Sequence, residues 1–353
     1  MRAAANTQSF HASRTFVSTR SFASSLIREP LRELALRLRP RGARALAALA
    51  HRLAPEVPAG EGPRAELHPG LRFAPPGHFY SPIPDLTDVE RWWPKLFDVS
   101  RRELLGIDLR EESQLELFQR FEPFYAVQPF GDDPAPGRRY YFQNPFFAYA
   151  DALTYHFVLR HFRPRRLIEI GSGYSTCVAL DTNDLFLGNS LDITCIEPYP
   201  NVLRSLMKPG DAQAVRLLPT PVQEVSLEHF RELEANDVLF VDSTHVSKMG
   251  SDVNRIVFEI LPRLTRGVLI HFHDIFYPFE YPLDWLREGR AWNEAYLLRS
   301  FLMYNAAFEV VAFPTYLVAH HPQLFASSFP LFLKNTGGSL WMRKSAPRTD
   351  DAS

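Results

Sequence analysis

The side chains that could do chemistry in this 353-residue chain stand where short apolar runs stop. Leu167-Ile168-Glu169-Ile170 breaks into Gly171-Ser172-Gly173-Tyr174-Ser175-Thr176, and the run ending at Ile196 meets Glu197-Pro198. Val238-Leu239-Phe240-Val241 ends in Asp242-Ser243-Thr244-His245, and Val268-Leu269-Ile270 ends in His271-Phe272-His273-Asp274. Runs of that length between turn residues read as buried strands. Side chains at the carboxyl ends of parallel strands face the ligand crevice. An ionised carboxylate only accepts hydrogen bonds, so Glu197 suits the two hydroxyls of a ribose. Imidazole exchanges a proton near neutral pH, so His273 and His245 suit general-base work, with Asp242 or Asp274 orienting them. Gly171 and Gly173 let the loop backbone approach a ligand closely.

The glycine loop also says which nucleoside. A dinucleotide fingerprint places a third glycine three residues after the second. Thr176 occupies that position. Glu169 would repel a pyrophosphate and would suit a ligand carrying an ammonium and a sulfonium. The pattern acid–x–Gly–x–Gly–x–x–Thr resembles motif I of the class I S-adenosylmethionine (SAM)-dependent methyltransferases, and the resemblance extends over about residues 140–344. It implies SAM as cofactor, with Glu169, Gly171, Ser172, Gly173, Tyr174, Ser175 and Thr176 around it. It further implies Glu197 at the ribose, Gln223 and Glu224 near the adenine edge, and Asp242 beside the transferred methyl. Asn144 is expected to reach the cofactor from the segment before the glycine strand.

His271 and His273 share one face of their strand, because side chains alternate. Asp274 should project near Asp242. Such a convergence could hold a divalent metal or form a base with its orienting carboxylate. One subgroup of the resembled enzymes holds Mg2+ with acids at these strand ends, using Asp-Asp or Asp-Asn where this chain has His273-Asp274. That departure favours metal-free catalysis by His273 or His245. If a metal is bound, Asp242, His273 and Asp274 are the expected ligands. His320-His321 reads as structural.

The elements that must position these residues alternate. Strands are expected at 166–170, 192–197, 214–218, 238–242 and 268–272, with helices between them. Two further strands, Phe308–Phe313 and Ser339–Arg343, follow with no crossover helix evident between them. They resemble the terminal antiparallel hairpin of the methyltransferase sheet. The fold class is therefore α/β: a doubly wound, Rossmann-like, seven-stranded and mostly parallel sheet with an N-terminal helical cap. The expected organisation is a disordered tail at 1–25, a helical and linker cap at 26–139, the catalytic domain at 140–345 and a tail at 346–353. Leu31, Leu34, Leu38, Leu46 and Leu53 give the early segment helical spacing, and residues 86–125 read as helices.

Composition narrows the class. A formal charge of −1 gives no pull toward nucleic acid or anionic membrane. No run approaches the roughly 20 apolar residues that span a bilayer. Two cysteines exclude a disulfide framework and favour a reducing, cytoplasmic setting. The acid-free, Arg- and Ser-containing start has the composition of a transit peptide, but reads better as a tail. The expected reaction is methyl transfer to a hydroxyl of a small acceptor such as a sugar, a phenol or a secondary metabolite. Oligomeric state, a homo-oligomer included, is open. The rival readings are an NAD-linked oxidoreductase, which nicotinamide binding would reveal, a metal-dependent hydroxylase, marked by iron, and a non-catalytic subunit of the same fold.

Overall fold

Every residue of Val238–Val241 and of Leu269–Phe272 is buried, which requires strands inside a sheet covered on both faces. The computed structural model describes residues 72–346. The expectations for the tail at 1–25 and for the Leu-spaced segment lie outside those residues, as do residues 347–353. The strands are β1 (Arg166–Ile170), β2 (Asp192–Ile196), β3 (Val215–Leu218), β4 (Val238–Val241), β5 (Leu269–Phe272), β6 (Phe308–Ala312) and β7 (Leu340–Lys344). They form one sheet in the order β3-β2-β1-β4-β5-β7-β6. Strands β1 to β5 are parallel, and β7 runs antiparallel to both β5 and β6. The chain builds outward from β1 through β2 to β3, then returns to the other side of β1 with β4. That reversal opens a crevice at the carboxyl ends of β1 and β4.

The longer helices are α1 (Leu86–Leu96), α2 (Glu111–Ala126), α3 (Tyr149–Phe162), α4 (Tyr174–Thr182), α5 (Asn201–Leu206), α6 (Glu294–Leu302), α7 (Pro314–His320) and α8 (Pro322–Ser328). α3 is buried from Tyr149 through Leu159 and stacks Tyr155 on Phe240 of β4 at 4.6 Å. Ser251 caps the next helical turn by accepting from the Asn254 N–H, as its type and position predict. Both cysteines are free and buried. Among the described residues no helix is long and apolar enough to cross a membrane.

Two expectations need correction. The stretch between α1 and α2 is not helical: Leu104 pairs with Ile107 in an isolated bridge and Leu105 is exposed. The connection between β6 and β7 is helical, through α7 and α8. Pro314 and Pro322 open those helices, where a missing N–H costs nothing and a fixed φ helps. Within the described part of the 26–139 region, α2 packs into the core of the sheet domain. Phe118 of α2 is fully buried and packs edge-on against Phe325, Phe329 and Phe332 at 5.4, 5.6 and 5.9 Å. Gln114 Oε1 accepts from the Phe313 N–H at 2.6 Å, tying α2 to the end of β6. By contrast, α1 buries no residue.

Candidate active site

The sheet's hydrogen bonding runs one residue past each strand. Gly171 N–H donates to Ile196 O at 3.0 Å, and Glu197 N–H to Leu218 O at 3.0 Å. Asp242 N–H donates to Ile170 O at 2.8 Å, and His273 N–H to Val241 O at 2.9 Å. Gly171, Glu197, Asp242 and His273 therefore form a row along the carboxyl edge. The row is tight: Gly171 has φ +81°, and a Cβ there would lie 1.8 Å from the Asp242 carbonyl oxygen. No other residue type fits. A cleft of about 400 Å³ opens above the row, lined among others by Gly171, Glu197, Tyr199, Gln223, Asp242 and Thr244.

On the cofactor side the expected residues divide. Glu197 lines the cleft and accepts from the Tyr199 N–H at 2.7 Å and the Ser172 N–H at 3.3 Å. Gln223 lines it too, with Nε2 donating to Gly250 O at 3.0 Å. Tyr174 meets Tyr141 hydroxyl to hydroxyl at 3.2 Å. Glu169 does not face the cleft. It is fully buried, and it accepts from the Ser175 hydroxyl and, at 2.6 Å, from the Thr176 hydroxyl. Thr176 in turn accepts from the Gly173 N–H at 3.1 Å. Burial pushes the Glu169 carboxyl up to about 7. These three side chains brace the loop from below. Asn144 is likewise spent: its amide donates to Tyr141 O and Phe147 O at 2.7 and 2.8 Å, and its oxygen accepts from the Phe146 and Phe147 N–H groups. Glu224 turns away and accepts from the Thr220 hydroxyl at 2.9 Å.

The ends of β4 and β5 bring the predicted catalytic residues together. His245 Nε2 lies 3.4 Å from Asp242 Oδ1 and 3.6 Å from Asp274 Oδ2. His273 Nδ1 lies 3.4 Å from Asp242 Oδ1 and 3.5 Å from Asp274 Oδ1, while its Nε2 is 3.6 Å from Asp151. Both imidazoles are buried, whereas the Asp242 side chain is 33% exposed and reaches the cleft. Burial opposes charge on His245, but Asp242 and Glu294 override it and push the imidazole up to about 10. The same contest, won by Asp274 and Asp242, raises His273. Burial would lift Asp242, yet the His273 and His245 imidazoles hold it below the usual carboxylate range. Burial raises Asp274. His271, stacked 3.9 Å from Phe240 and bonded to Ser339, is held well below its usual value by burial and stays neutral.

Two acids acquire parts the sequence did not give them. Glu294, at the start of α6, is fully buried with Oε2 2.9 Å from His245 Nδ1. Asp151 of α3 accepts from the Gly338 N–H and the Ser339 hydroxyl and backs His273. Its approach needs Gly337, where a Cβ would lie 2.3 Å from the carboxylate. Glycines before β7 were the available signal. Among the described residues one group could hold a cation: Asp242, His245 and Asp274, whose ligand atoms lie within 4.8 Å of one another. The expected set contained His273 in place of His245. An imidazole among two carboxylates suits a transition metal better than Mg2+, which prefers oxygen alone.

Comparison with known proteins agrees with this edge. The family described as "Methyltransferase domain" matches residues 168–275, from the glycine strand through Asp274. A protein of Archaeoglobus fulgidus, described only as an uncharacterized protein, is 39% identical over 170 residues, which is 47% of this chain and 76% of that one. Among solved structures, a Podospora anserina methyltransferase bound to S-adenosylhomocysteine (SAH) is 17% identical and covers 73% of this chain and 97% of its own, at a TM-score of 0.39. An O-methyltransferase of Streptomyces achromogenes in complex with SAM is 15% identical and covers 73% and 98%, at 0.36. Likenesses at that level do not assign a function.

Proposed function

We propose that this chain, whose residues 168–275 match a methyltransferase domain and whose sheet has the order β3-β2-β1-β4-β5-β7-β6, is a SAM-dependent enzyme that methylates a hydroxyl of a small organic acceptor with His245 as general base. One observation carries the reading: Asp242 belongs to both halves of the site. It lines the cleft with Glu197 and Gln223, and it pairs with His245 and His273. A nucleoside held by Glu197 would thus end beside the imidazoles. SAM supplies an electrophilic methyl whose sulfur departs as a neutral thioether, so departure needs little help. The chain's own work is alignment and removal of the acceptor's proton. His245 Nε2 takes that proton, and Asp242 and Asp274 stabilise the imidazolium so formed. His245, held near 10 without ligand, moves down when a sulfonium cation shares its carboxylates.

His245 is preferred to His273 because one of its nitrogens is anchored and the other is aimed. Neither nitrogen of His273 has a hydrogen-bond partner, and its buried ring lies 5.2 Å from Phe147. Trp292 sits 4.3 Å from the His245 ring and packs against Trp285 and Tyr281. That wall supports an acceptor with an aromatic or apolar body: a phenol or secondary metabolite before a free sugar. The buried free cysteines fit a reducing, cytoplasmic setting. The test is transfer of a tritiated methyl from SAM to a panel of phenols, sugars and amines, with and without EDTA. Label on oxygen, unaffected by EDTA, is expected. Label on nitrogen alone would sink the hydroxyl assignment. The Asp242–His245–Asp274 group favours a second reading, a metal that orients the acceptor oxygen, and activity lost to EDTA and restored by a divalent ion would select it.

A further inference from the structure

We propose that Glu294 is a positioning residue that makes His245 a one-directional base, a Glu–His dyad built from α6 rather than from the sheet edge. The inference rests on the reading of His245 as the base. An ionised carboxylate can only accept, so with Glu294 ionised the 2.9 Å contact to Oε2 places a proton on His245 Nδ1. That leaves Nε2 facing the space between Asp242 and Asp274, where an acceptor hydroxyl would arrive.

The surroundings look built for this contact. Glu294 is fully buried, and its second oxygen, Oε1, has no hydrogen-bond partner. Burying an incompletely bonded carboxylate is destabilising, and a chain selected for stability alone would not keep it there. His245 itself has φ +59°, a left-handed conformation that costs a non-glycine residue. The start of α6 holds it there: the Asn293 and Glu294 N–H groups both donate to His245 O at 3.1 Å. Asn293 also accepts from the Ser247 N–H at 2.6 Å and donates to Ser247 O at 3.2 Å. Trp292 closes one side of the ring. Backbone, ring face and Nδ1 are thus all fixed by residues 292–294, and only Nε2 is left to react.

The test uses the full chain, saturated with SAH and labelled with nitrogen-15 at histidine. His245 should show an exchange-protected, low-field Nδ1 proton, identified by its loss in His245→Gln. Glu294→Gln keeps the size but not the charge. It should move that signal upfield and lower kcat by about 10- to 1000-fold on the acceptor identified by methyl transfer. The acceptor KM and the SAH Kd should stay within about threefold. Glu294→Asp should recover part of kcat, which a purely structural role would not predict. Wild-type kcat with an unmoved Nδ1 signal in Glu294→Gln overturns the proposal. So does loss of SAH binding in step with kcat, which would make Glu294 a residue of the fold alone. Full turnover in His245→Gln would instead overturn the base reading, and the proposal with it, so the two failures are told apart by which variant stays active.

Discussion

Two buried charge networks lie on opposite sides of the glycine strand, and they are built differently. Arg139 reaches Asp181, Asp184 and Asp211 at 2.8, 2.7 and 2.6 Å. Asp181 also accepts from the Arg139 and Tyr140 N–H groups, and Asp211 from the Lys208 N–H. Each oxygen of Asp181 and of Asp211 has a short, charge-assisted or backbone donor. The cluster at the ends of β4 and β5 holds four carboxylates and two imidazoles, yet apart from His245–Glu294 its charged contacts run from 3.4 to 3.6 Å. His273 lacks a bond at both nitrogens, and His245 and Asp274 have φ of 59° and 58°. A saturated network holds chain in place; a loose, strained one has capacity left for a ligand and a moving proton. The first clips the 137–141 segment to α4, and the second carries the reaction.

The comparison can be broken at either end. Arg139→Ala should be the most damaging to stability, since it strands buried carboxylates; a loss of about 3–5 kcal/mol is expected from denaturant titration. A loss under about 1 kcal/mol would mean the network is no better than a surface pair. Asn144→Ala should cost roughly 1–3 kcal/mol by the same titration, because it leaves the Phe146 and Phe147 N–H groups without their acceptor. Its SAH affinity should be near wild type; a large drop would return Asn144 to the cofactor. The last effect is read from pH. His245 sits near 10 in the free protein, so at neutral pH it carries the proton that a base must lack. At saturating SAM the kcat/KM for the acceptor should therefore climb by about tenfold per pH unit from neutral pH and level off below 10, at the lower value His245 takes beside the sulfonium. A profile flat from pH 6 to 10 would remove His245 as the base.

Much of the fold was legible because strands buried on two faces are written as apolar runs, and the residues that end them are fixed by register. Glu197, Asp242, His273 and Asp274 could be placed that way. Side-chain direction could not. Glu169 sits beside the glycine loop in sequence, but the hydroxyls of Ser175 and Thr176 draw its carboxylate under the loop. Asn144 looked free because its partners are local backbone groups, which any short polar residue in a turn can recruit. Glu294 was illegible for the opposite reason. An acid in a helix's first turn reads as a partner for the helix dipole, and only the packing of α6 against the loop after β4 brings it to His245. The helices between β6 and β7 were hidden by prolines that read as breakers but occupy first helical turns.

The most direct test of the account is methyl transfer from tritiated SAM by the wild-type protein and by His245→Ala, side by side, with SAH affinity measured on both. The role given to His245 requires a rate lower by about 10²–10⁴-fold in the variant, with the SAH Kd within about threefold. Equal rates would contradict it, and would show that the imidazole between Asp242 and Asp274 takes no part in moving the proton.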